Sequence, residues 1–76
     1  MPHVEIKCFP GRTDEQKKKC ADKIAYDIAD ILGCSISSVS VAVIDVPKEE
    51  WKEKVWDAEI IPNENHLYKK PGYTCE

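Results

Sequence analysis

The sequence predicts an α/β fold: a single β-α-β unit with two parallel strands, one long covering helix and a short helical C-terminal extension. Three observations carry this. Residues 3–9 and 38–45 alternate apolar and polar positions with a period of two. Between them lies a stretch whose apolar residues recur at three- and four-residue steps. Both connections are short, and strand, helix, strand joined in that way implies a right-handed crossover with parallel pairing.

In the first strand Val4, Ile6 and Cys8 point one way, and His3, Glu5 and Lys7 the other. Phe9-Pro10-Gly11 is turn chemistry and closes it. Thr13 then opens the helix. Its hydroxyl is placed to accept from the backbone N–H three residues on, and Gln16 to reach back, the S/T-x-x-E/Q capping box. Asp14 and Glu15 suit the positive end of the helix dipole. Cys20/Ala21, Ile24/Ala25, Ile28 and Ile31/Leu32 form the apolar stripe of an amphipathic helix, and Gly33 stops it. From Ser38 to Asp45, Val39, Val41 and Val43 alternate with Ser40, Ala42 and Ile44, a β-branched second strand. Pro47 sits where a helix begins. Trp51, Val55, Trp56 and Ala58 make a partial stripe that Pro62 breaks, and residues 63–70 read as a further short helical piece. Pro71-Gly72 ends regular structure.

Composition narrows the function. Seventy-six residues make one domain, spanning 1–76. Eleven basic residues against 14 acidic ones give a net charge of −3. The basic residues are interleaved with acids apart from Lys17-Lys18-Lys19 and Lys69-Lys70, so no phosphate-tracking stripe exists and nucleic acid is not an expected partner. No apolar run spans a bilayer, and the opening lacks the basic leader and apolar core of a signal peptide. A cytoplasmic location follows as an expectation. There Cys8, Cys20, Cys34 and Cys75 stay reduced. Their spacings match no common zinc pattern, and Cys8 and Cys20 read as small buried hydrophobes.

A chain this short is marginal alone. Two parallel strands under one helix leave both strands as edges and one sheet face bare, with Ala42 and Ile44 upon it. The remedy expected is a homodimer that completes the sheet, with the Trp51-to-Tyr68 tail packed across it.

The chemistry concentrates in the first dozen residues. Removal of Met1 would leave Pro2 as the N-terminal residue, its nitrogen a secondary amine on a rigid ring at the lip of a sheet. An α-amino group titrates near ~8, and an apolar setting disfavours its charged form. Such an amine suits proton transfer with no cofactor. If Met1 is retained, the nitrogen is an amide and has no basic lone pair.

Several features together resemble the tautomerase superfamily of small β-α-β proteins with a catalytic N-terminal proline, whose type member is 4-oxalocrotonate tautomerase. They are the opening Met1-Pro2, the alternating strand, Gly11-Arg12-Thr13-Asp14-Glu15-Gln16-Lys17 at the helix start, Ser38-Val39 entering the second strand, and Trp51 after it. This match covers residues 1 to about 52. Met1-Pro2-His3, Ile6-Lys7-Cys8-Phe9-Pro10, Trp56-Asp57-Ala58-Glu59-Ile60 and Lys70-Pro71-Gly72-Tyr73 resemble a longer bacterial branch, dimeric rather than hexameric and associated with phenylpyruvate-type tautomerase activity.

The resemblance implies a cofactor-free isomerase in which Pro2 is the general base, Arg12 binds the substrate carboxylate and Trp51 walls the site. It departs from the type member at Ser40, where that protein has an arginine that polarises the substrate carbonyl. One remaining arginine suits a small 2-oxo monoacid enol such as phenylenolpyruvate better than a dicarboxylate. Strand arithmetic adds a constraint. From Pro2 to Arg12 the chain climbs about seven extended residues, roughly 20 Å, so Arg12 reaches a Pro2 only from a partner subunit. His3 and His66 read as surface or interface histidines. The alternative function is a non-catalytic dimeric binding module of the same fold, and a third reading gives thiol or metal chemistry to the four cysteines.

Overall fold

A computed structural model describes residues 1–75, which fall into two compact units, Met1–Asp45 and a second beginning at Val46. The first unit is a β-α-β unit. Strand β1 is His3–Cys8 and strand β2 is Ser40–Asp45, paired in parallel as a two-stranded sheet. The register sets His3 against Ser40, Val4 against Val41, Ile6 against Val43 and Cys8 against Asp45. One face of the sheet therefore carries Val4, Ile6, Val41 and Val43, and the other carries His3, Glu5, Lys7, Ser40, Ala42 and Ile44.

Helix α1 is Asp14–Leu32. Its start follows from local chemistry. The Gln16 N–H donates to Thr13 Oγ1 (3.1 Å), and the Thr13 N–H donates to Gln16 Oε1 (2.8 Å), so two otherwise orphaned donors are satisfied reciprocally. Lys17 reaches from α1 to Asp45 at the end of β2 (3.0 Å), which places the helix over the valine and isoleucine face. That hydrogen bond is the main reason the Lys17 ammonium titrates above its ordinary range.

Gly33 ends the helix at φ 72°, ψ 50°, with its N–H donating to the Ala29 carbonyl. Only glycine adopts this left-handed geometry without penalty. No atom lies within 4 Å of where a Cβ would stand, so Gly33→Ala costs backbone strain alone. The expected loss is about 1 kcal/mol, read as a lower urea midpoint at unchanged m-value.

Three details of this unit depart from the sequence expectations. First, β2 begins at Ser40 rather than Ser38. Residues Ile36–Ser38 form a 3₁₀ turn, held by the Ser37 N–H donating to Ser35 Oγ (3.3 Å) and by Ser38 Oγ donating to the Ser35 carbonyl (2.7 Å). Short hydroxyl side chains offer the backbone this alternative to a strand. Second, Cys20 is exposed rather than buried, and Cys8, also expected to be buried, is half-buried, as is Cys34. Third, the end of the helical stripe has no cover. Ala21, Ile24, Ala25 and Ile28 are half-buried, but Ile31 and Leu32 are 78% and 67% exposed. A 19-residue helix is about 28 Å long and a six-residue strand about 20 Å, so the last turn outruns the sheet.

The second unit is helical and irregular. Pro47 leads into a 3₁₀ turn, Lys48–Glu50, and then a π-helix, Lys52–Ile60. The Ile61 N–H donates to the Trp56 carbonyl five residues back, and Lys52 pairs with Asp57 (2.8 Å), also five apart and hence on one face. The wider turn changes the buried stripe. Val55 is buried and Trp51, Trp56 and Ile60 are half-buried, but Ala58 is exposed, so the expected place of Ala58 on the stripe is corrected. Trp51 Nε1 donates to the Tyr73 hydroxyl (3.1 Å), and Trp56 packs tilted against the Tyr73 ring (5.4 Å between centroids). A 3₁₀ turn at Glu64–His66 supplies the expected short helical piece. No helix of the described residues is long and apolar enough to cross a membrane.

Candidate active site

The lip of the sheet is where β1 and β2 begin. Pro2 sits there, half-buried, its carbonyl accepting a hydrogen bond from the Ser40 N–H (3.1 Å). This contact continues the sheet ladder one step before His3 and holds the proline ring in place. Met1 is 100% exposed, so its removal repacks nothing and frees the Pro2 nitrogen as an amine.

Arg12 lies past the other end of β1. It is exposed, its Nη1 donates to the Phe9 carbonyl (3.2 Å), and no carboxylate of the described residues pairs with it. Pro2 and Arg12 of one chain thus flank the whole strand rather than one another. A guanidinium on the surface is suited to capture a carboxylate through two parallel N–H donors. Trp51 belongs to the second unit, half-buried, with its indole N–H committed to Tyr73.

One pairing escaped the reading of the sequence. His3 Nδ1 and Ser40 Oγ are 2.6 Å apart, on the sheet face that α1 leaves bare. A periodicity argument assigns His3 a direction but no partner. The signal was present only in combination: in a parallel pair that starts at His3 and Ser40, both side chains project from the same face of the same rung. Farther along this face Lys7 pairs with Glu5 (3.4 Å), so that the polar groups near the lip are Pro2, His3 and Ser40. His66 is exposed in the second unit.

The chain is similar to several known proteins. A family model described as "Tautomerase enzyme" matches residues 2–53. Tautomerase PptA of Enterobacter sp. (strain 638) is 52% identical over 75 residues, covering 97% of this chain and 99% of that protein. Tautomerase PptA of Escherichia coli O139:H28 (strain E24377A / ETEC) is 45% identical over 78 residues, covering 97% and 99%. A solved structure from a kinetic and structural characterization of the 4-oxalocrotonate tautomerase isozymes of Methylibium petroleiphilum superposes with a TM-score of 0.62 at 36% identity, over 66% of this chain and 81% of that one.

Proposed function

The chain belongs to the tautomerase family and is an isomerase of that kind, and from that premise we propose that it interconverts the enol and keto forms of a small 2-oxo acid, with the Pro2 amine as general base once Met1 is removed. The single observation that carries this is the placement of Pro2: first in the strand ladder, half-buried, its carbonyl anchored by the Ser40 amide, with the adjoining Met1 fully exposed. In the ketonisation direction the Pro2 nitrogen takes the enol O–H proton. The C=O bond forms, and the C=C electron pair takes the proton back from nitrogen at carbon. One unprotonated amine near neutral pH suffices, and no cofactor enters.

Arg12 of a partner subunit holds the substrate carboxylate in this proposal, and Trp51 contributes an apolar wall that favours the neutral amine. The functional unit is the whole 1–76 domain as a homodimer. Supporting the dimer are the exposed Ile31, Leu32, Ile36 and Ile44, which one protomer leaves facing water. Full burial of each such side chain is worth about 1.5–3 kcal/mol.

The experiment is an assay of protein whose N-terminal mass shows Met1 absent, against phenylenolpyruvate and a dicarboxylic 2-oxo acid enol. Faster ketonisation of the monoacid is expected, because one arginine matches one carboxylate. No turnover of either enol by the trimmed protein would favour the binding-module reading instead.

A further inference from the structure

The proposed reaction needs more than a base. As the proton leaves carbon in the reverse direction, negative charge develops on the substrate oxygen, and a donor aimed at that oxygen lowers the barrier. In that reading the carboxylate takes up Arg12 of the partner subunit, and this chain's own Arg12 lies at the far end of β1. What stands at the lip is Ser40: its N–H holds the Pro2 carbonyl, and its side chain rises from the adjoining rung beside His3. A serine hydroxyl carries one proton. If that proton is spent on the imidazole, Ser40 offers the substrate nothing. If the imidazole donates its Nδ1–H to Oγ instead, the hydroxyl proton is free to point outward. The 2.6 Å separation accommodates either sense, and only the second makes Ser40 a donor.

We propose that Ser40 is a catalytic residue whose hydroxyl donates to the oxygen at C2 of the substrate, and that His3 is the positioning residue that donates Nδ1–H to Ser40 Oγ. This deepens the Pro2 reading and rests on it for the location of the reacting atoms. No proton is exchanged with Ser40 in the cycle. It contributes a hydrogen bond that strengthens as the oxygen becomes anionic, so its effect belongs in kcat more than in KM. The neutral donor also restricts the substrate. Beyond its single carboxylate the substrate presents an uncharged carbonyl or enol at C2, which a neutral hydroxyl donor matches better than it would a second carboxylate.

The test uses the full-length trimmed protein and phenylenolpyruvate. Ser40→Ala is expected to lower kcat about 10- to 100-fold with KM changed less than about twofold, and Ser40→Thr to restore most of the rate. His3→Phe is expected to lower kcat about tenfold, and His3→Asn to recover more than half of it, because the asparagine amide places a donor near the position of Nδ1. Circular dichroism and thermal melts identify any variant that fails to fold, and the two His3 variants then carry the test without Ser40→Ala. If Ser40→Ala keeps wild-type kcat while Pro2→Ala is inactive, the donor assignment is wrong and the base assignment stands. If protein that retains Met1 keeps its rate while Ser40→Ala loses it, the base assignment is the one that fails. Equal losses in His3→Phe and His3→Asn would overturn the positioning role.

Discussion

Pro2→Ala is expected to lower kcat/KM for phenylenolpyruvate ketonisation by about 10²-fold or more, the range that a positioned general base supplies. The variant keeps an N-terminal amine, so the loss isolates what the ring contributes. Pro2 holds its nitrogen at a fixed angle from a carbonyl tied to the Ser40 amide (3.1 Å). An alanine amine rotates about an additional bond and spends less time aligned with the reacting atoms. Retained Met1 is the harsher version of the same experiment, because it turns the Pro2 nitrogen into an amide and removes the base altogether. The pH dependence has a definite sign. The base works unprotonated, so kcat/KM rises with pH through the titration of the amine and then levels. Stopped-flow decay of the enol absorbance on mass-verified protein measures both effects. Pro2→Ala protein with the wild-type rate would show that the ring contributes nothing, and protein that retains Met1 yet keeps the wild-type rate would refute the assigned base.

Recovery of activity from two crippled variants is the second result expected. Arg12→Ala removes a charge-assisted clamp on the substrate carboxylate and should cost about 10- to 100-fold in kcat/KM, mostly through KM. In the crossed arrangement each site of a dimer takes Pro2 from one protomer and Arg12 from the other. Mixing unfolded Pro2→Ala and Arg12→Ala chains in equal amounts and refolding them makes half of the dimers mixed. Each mixed dimer holds one intact site and one doubly damaged site, so about a quarter of wild-type activity should return. No recovery above the mean of the parents, in a sample that sediments as a dimer at micromolar concentration, would place Arg12 and Pro2 of one chain in the same site. A monomer by sedimentation would remove the basis for sharing. The geometry favours the crossed arrangement because β1 separates the two residues and the Arg12 guanidinium rests on the Phe9 carbonyl at the far end.

Much of the fold was legible because the interactions that make it are local. Thr13 and Gln16 close their capping box within a single turn, and Gly33 takes the left-handed conformation that its missing Cβ permits. Alternation in residues 3–9 placed β1 to within a residue. Where the reading failed, a competing local or non-local partner decided. Ser35 drew residues 36–38 into a 3₁₀ turn and delayed β2. In the second unit, a stripe read with helical spacing put Ala58 inside, whereas Trp51, Val55 and Ile60 stand four and five residues apart, the spacing of the wider π-helix that forms. Cys20 was counted with the apolar stripe on residue type, and the helix face turned it to water.

By itself the sequence determined the order and type of the β-α-β elements and the limits of the helix. Each depends on residue chemistry within a few positions along the chain. Only the tertiary structure decided which side chains meet across the sheet. The pairing of His3 with Ser40 at 2.6 Å depends on strand register. The exposure of Ile31 and Leu32 depends on helix length against strand length. Register and overhang are set by contacts between segments more than twenty residues apart, where pattern along the chain carries no distance information.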